Sequence, residues 1–139
     1  GDDASQAELD AALDSGNVSA TDGKSSAEGN VSTGNALYVP MPRPFRFNVP
    51  GASRDRFVEI RVQLLVRGGS NEEEAKKHVP LIENTLLGVF SLANADDLGT
   101  SEGKTSLKQK SLVEVKKIMK EISGAEIVEQ VLFTGFVMQ

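Results

Sequence analysis

Hydrophobic residues change their spacing several times along this chain, and each change predicts a different element. Through residue 36 there is no period at all. The chain there is mostly Asp, Ser, Ala, Gly and Asn, with Leu9, Leu13, Val18 and Val31 as its larger apolar residues. Such a stretch cannot bury enough surface to offset the entropy of ordering it, so residues 1–37 are expected to be a disordered acidic linker. Ala4 to Leu13 has helical composition, but an isolated helix of that length is marginal. As a coil the segment spans roughly 30–36 Å on average, a suitable tether for a head group. Gly16-Asn17-Val18-Ser19 is echoed by Gly29-Asn30-Val31-Ser32, which reads as low-complexity drift.

Regular patterning begins at Tyr38, and every Phe and Tyr lies there or beyond. Pro40, Pro42 and Pro44 alternate, which extends the backbone and removes three donors, so this stretch can lead into an edge strand but not a central one. Phe45, Phe47 and Val49 alternate with Arg46 and Asn48, a short strand, and Pro50-Gly51 begins a turn. Val58, Ile60, Val62, Leu64 and Val66 then point one way while Glu59, Arg61, Gln63 and Arg67 point the other. That is a strand with one buried and one wet face.

After Gly68-Gly69 the period lengthens. Ala75, Val79, Ile82, Leu86 and Val89/Phe90 form one helical stripe, with Leu81 and Leu92 alongside. Ser70 and Glu73 have capping-box spacing, and Glu72–Lys76 and Glu73–Lys77 are spaced as ion pairs. Pro80 predicts a kink near Lys77 or a fresh helix start. Asn94 to Gly99 reads as a turn. Thr100 is the expected N-cap of a second long helix, with Leu107, Leu112, Val115, Ile118/Met119 and Ile122 inward and Gly124 as terminator. Ile127 to Gln139 is apolar and β-branched, a closing strand that has to pair with a sheet. The predicted order is strand, strand, helix, helix, strand: an α+β domain with a small, mostly antiparallel sheet packed on helices.

Composition narrows the function. No cysteine is present among the 139 residues, which removes disulfides and thiolate metal sites. The formal charge of −5 is uneven: residues 1–36 hold seven acids against Lys24, whereas residues 37–139 hold thirteen acids and fourteen bases. A near-neutral folded part lacks the basic stripe that nucleic acid requires, so no nucleic-acid partner is expected. No apolar run approaches the length needed to span a bilayer, and no signal peptide is legible.

No residue pattern points to catalysis. Gly99-Thr100-Ser101-Glu102-Gly103-Lys104-Thr105 has a phosphate-loop flavour, but its glycines are one residue too close and no strand precedes it. A helix start with a glycine in its first turn accounts for it. His78 is the single histidine and has no motif partner; it reads as solvated or packed near Pro80. Asp96-Asp97 lacks the spacing of a calcium loop and suits local turn hydrogen bonds. Glu72, Glu73 and Glu74 suit the positive helix end. The expectation is no enzyme, no cofactor and no bound metal.

Four stretches in order resemble the periplasmic domain of the FliL family, the flagellar basal body-associated proteins. They are Tyr38-x-Pro40-Met41 with Pro44-Phe45-x-Phe47-Asn48, and His78-x-Pro80-Leu81-Ile82-x-Asn84-x-Leu86-Leu87. The others are Ser101-Glu102-Gly103-Lys104-x-x-Leu107 and Val131-Leu132-Phe133-Thr134-x-Phe136-Val137-x-Gln139. The resemblance covers residues 38–139, with a Met41–Pro44 spacing one residue longer than the family pattern. It implies a stomatin-type (SPFH-like) fold and a membrane helix upstream of Gly1. It further implies a periplasmic head that associates with the flagellar stator proteins, forms a ring with copies of itself and supports motility under load. The surfaces singled out are Tyr38, Val39 and Met41 of the proline-rich lead-in, Arg61 and Gln63 on the polar strand face, and Phe133 and Phe136 of the last strand. For Tyr38, Val39 and Met41, local packing on the domain is the preferred reading and an interaction role the alternative. The competing function is a periplasmic sensor or ligand-binding module.

Overall fold

The alternation from Val58 to Val66 becomes the middle of the sheet. The computed structural model describes residues 34–139, and its long strand β3 (Arg56–Arg67) follows two shorter ones, β1 (Ala36–Pro40) and β2 (Phe45–Val49). Helices α1 (Gly69–Lys77), α2 (Val79–Phe90), α3 (Ala95–Leu98) and α4 (Ser101–Ser123) come next, and β4 (Val128–Met138) closes the domain. All pairing is antiparallel, and every strand pairs with β3. Val58 lies opposite both Phe47 and Met138, and Leu64 opposite both Val39 and Val131. A strand has two edges, so β1 and β2 share one edge of β3 end to end, and β4 takes the other.

The proline run explains the break between β1 and β2. Pro40 is paired with Gln63 and Phe45 with Ile60, so residues 41–44 face only residues 61–62. Met41 still donates its amide to Val62 (3.0 Å), after which Pro42 and Pro44, lacking N–H groups, let the chain bulge and rejoin. Ala36 and Leu37 already belong to β1, so the folded domain reaches back beyond Tyr38. Residues 1–33 of the expected linker lie outside the described residues.

One face of the sheet receives the helices. Val58, Ile60, Val62, Leu64 and Val66 are buried with Ala75, Ile82, Leu86 and Phe90 of the α1–α2 stripe, as their spacing predicts. Phe90 is the central knob. Its ring meets Phe45 edge-on at 5.1 Å, stacks on Phe47 at 5.6 Å and meets Phe133 edge-on at 5.8 Å. The break at Pro80 is a full restart: His78 closes α1 and opens α2, and Pro80 falls in the first turn, where a missing donor costs nothing.

Several local expectations are corrected. Ser70 does not cap α1. Gly68, at φ 83°, turns β3 directly into a helix that starts at Gly69, and the Glu72 amide bonds the Gly68 carbonyl instead (3.0 Å). Glu72–Lys76 forms at 3.4 Å, but Lys77 pairs with Glu74 (3.2 Å) rather than Glu73. The expected turn at Asn94 to Gly99 contains the one-turn helix α3, capped by the Asn94 side chain, which accepts from the Asp97 amide at 2.9 Å.

In α4 the buried row is Leu107, Ser111, Val115 and Met119, while Leu112 and Ile118 are half-buried and Ile122 is exposed. Ser111 tolerates burial because its hydroxyl donates to the Leu107 carbonyl at 2.7 Å. Thr100 caps α4 through the Gly103 amide (3.0 Å), and left-handed Gly124 ends it, both as predicted.

Candidate interaction surface

With the helices on one face, the other face of the sheet has no helix or strand over it among the described residues. Phe57, Glu59, Arg61, Gln63, Leu65 and Arg67 of β3 point there, because side chains alternate along a strand. The register places Arg46 opposite Glu59, and their side chains meet at 3.1 Å; Arg61 reaches the other carboxylate oxygen at 3.6 Å. Glu59 thus sits between two arginines, and the row keeps one unbalanced positive charge. Arg61 lies opposite Gly135, and a Cβ there would meet the Arg61 stem at 3.0 Å. Glycine at this position lets the arginine lie flat across β4. Further along, Arg67 pairs with Glu129 at 2.8 Å.

Apolar groups flank this polar row. Tyr38 is 53% exposed, Phe57 and Val137 are exposed as well, and Leu65 is buried between its neighbours Tyr38 and Gln130. The arrangement has groups that bind and none that react. It carries ion-pair donors, an amide at Gln63 and aromatic surface, without a nucleophile beside a base. Among the described residues no group of His, Asp or Glu is placed to hold a metal ion, and no helix is long and apolar enough to cross a membrane.

The residues singled out from sequence therefore separate. Tyr38, Arg61 and Gln63 share this outer face. Val39 (1% exposed) and Met41 (8%) lie in the core, where they pack and offer no surface. Phe133 and Phe136 are half-buried on the helical side, with the Lys108 and Lys104 ammonium groups 5.9 and 4.6 Å from their ring centroids. Sequence reasoning missed the Arg46–Glu59–Arg61 row. Its residues lie on two strands, and only the register joins them.

The other polar candidates prove structural. Gly103 abuts the Asp97 backbone, so no side chain fits, and the phosphate-loop flavour of this stretch is a helix-packing requirement. His78 contacts the Glu74 carboxylate at 3.1 Å, and the Ser123 hydroxyl donates to the same carboxylate at 2.7 Å. That hydroxyl, followed by the Lys77 hydrogen bond, holds the Glu74 carboxyl below its ordinary range. Arg43 makes a forked pair with Glu83 at 2.9 and 3.1 Å, which pins the proline bulge to α2 and raises the arginine's pKa.

The chain is 27% identical over 103 residues to the "Flagellar protein FliL" of Aquifex aeolicus (strain VF5), which covers 74% of this chain and 62% of that relative. It thus spans less than two thirds of the relative's length. The family described as "Flagellar basal body-associated protein FliL" matches residues 38–139. It is a family of flagellar accessory proteins rather than enzymes. By that match, which takes in β2 through β4 and most of β1, the chain belongs to the FliL family.

Proposed function

We propose that this domain is the periplasmic head of a membrane-anchored scaffold that associates with the flagellar stator around the basal body. It supports stator assembly and motility under load. In this reading an inner-membrane helix precedes residue 1, residues 1–35 act as the tether, and copies of the head assemble into a ring. The head is a stomatin-like (SPFH-like) module, a reading supported by the antiparallel sheet with all its helices on one face.

The observation that carries the proposal is the uncovered outer sheet face, where Arg46, Glu59, Arg61 and Gln63 are held in register and rimmed by Tyr38, Phe57 and Val137. Tethering makes a weak surface of this kind sufficient, because it raises the effective concentration of neighbours. The test is motility in viscous medium of a strain carrying Arg61→Glu, Gln63→Glu together. Swimming speed is expected to fall more steeply with viscosity than in the parent, with protein level unchanged. Equal speeds at every viscosity would refute the reading.

A further inference from the structure

On the helical side of the molecule, α2 and α4 border an open trough of about 1120 Å³ with Val89, Leu92, Leu107 and Val113 among its lining residues. Leu92 (86% exposed) and Val113 (57%) are the most exposed large apolar side chains among the described residues, and both line this one trough. A lone surface leucine means little, but two such side chains in one concavity mark a place where apolar surface is left to be covered.

Shape and charge select the occupant. The volume is larger than the roughly 300–1,000 Å³ of small-molecule pockets, and such pockets have converging polar groups. Here Asp97 is engaged by Asn94 and Glu114 by Lys117 (3.7 Å). The other charged or amide groups, Glu102, Gln109 and Lys110, are strung along α4 alone and do not come from several elements as in a small-molecule site. The α4 wall runs from Thr100 to Glu114, which at helical rise is about 20 Å, a length matched by a partner helix of about four turns. Asp97, Glu102 and Glu114 border the trough with Lys110, and Lys117 offsets Glu114, which leaves one acid in excess. The excess of acid favours a basic partner.

We infer that the trough between α2 and α4 is a docking groove for an amphipathic helix of a partner protein, its apolar stripe covering Leu92 and Val113 and its flanks carrying Lys or Arg. This site is separate from the outer sheet face and does not depend on the stator reading.

The test uses the full chain and a synthetic Leu–Lys peptide with one apolar face, followed by amide chemical shifts and fluorescence anisotropy. Shifts are expected around Leu92, Lys110 and Val113. Leu92→Asp and Val113→Asp should each weaken binding about tenfold or more while leaving the thermal midpoint in place. A Leu–Glu peptide of the same pattern is expected not to bind. A Ser–Lys peptide, which reports attraction to the acidic residues 1–36, is expected to leave the trough signals unmoved. Equal binding by either control, shifts outside the trough, or unchanged affinity in both variants would overturn the inference. So would sedimentation showing that Leu92→Asp dissolves a self-associated form, since the trough would then belong to a second copy.

Discussion

Ser123, in the last turn of α4, donates its hydroxyl to the Glu74 carboxylate of α1 at 2.7 Å, joining residues 49 positions apart. The same carboxylate meets Lys77 at 3.2 Å and His78 at 3.1 Å, so one side chain holds the α1–α2 joint against the end of α4. Packing alone would leave that joint freer to hinge, because His78 interrupts the helical ladder there.

Stability should therefore depend on pH through Glu74. Its folded-state pKa is depressed, chiefly by Ser123 and then by Lys77, with a smaller part from His78. A depressed carboxyl contributes stability that is complete above its ordinary value of 4.5 and is lost as pH falls through the folded value. Glu74→Gln and Ser123→Ala should each lower the denaturation midpoint at neutral pH and flatten the acid limb of the stability profile. Urea titrations between neutral and strongly acidic pH would check this; parallel profiles for parent and variants would contradict it.

Phe90 should be the costliest single truncation. Its ring contacts Phe45, Phe47 and Phe133 from inside the core, so Phe90→Ala removes a hub and leaves a cavity worth about 3–5 kcal/mol. Leu87→Ala, on the exposed side of the same helix, should cost under about 0.5 kcal/mol. Denaturant unfolding of both variants measures the contrast.

Gly103→Ala should destabilise by about 1–3 kcal/mol, because a Cβ there collides with the Asp97 backbone and forces α3 away from α4. A nucleotide should leave the thermal midpoint of the parent unmoved, since the glycine serves packing. A nucleotide-induced rise would return the stretch to phosphate binding.

Adjacent residues of β1 should behave oppositely. Val39→Ala truncates the core and should cost about 0.5–3 kcal/mol, whereas Tyr38→Ala on the outer face should stay within about 0.5 kcal/mol. Comparable losses in the two variants would mean that the outer face is covered within the domain itself.

Much of this fold can be read from short windows of residues. The strand at Val58 to Val66, the restart at Pro80, the Thr100 cap and the Gly124 stop each follow from a handful of adjacent side chains. Failures occur where a neighbour remote in sequence decides. Ser111 is polar and so falls outside an apolar stripe, yet it is buried because its i,i+4 row faces the sheet. For Val39 and Met41 the sequence favours packing but leaves an interaction role open, and only pairing with β3 decides for packing by turning them inward. The Glu74–Ser123 clasp had no sequence signal.

The strand at Phe45–Val49, the amphipathic central strand, the long helical stripes and the closing strand were legible in the chain's own periodicity, because strand and helix spacing are properties of a few consecutive residues; the strand at Ala36–Pro40 and the one-turn helix at Ala95–Leu98 were not. Which apolar residues are core, which polar ones form the Arg46–Glu59–Arg61 row and which helices border a trough were settled only by tertiary structure. Those outcomes depend on register and helix packing between segments tens of residues apart, and no local pattern encodes the offset.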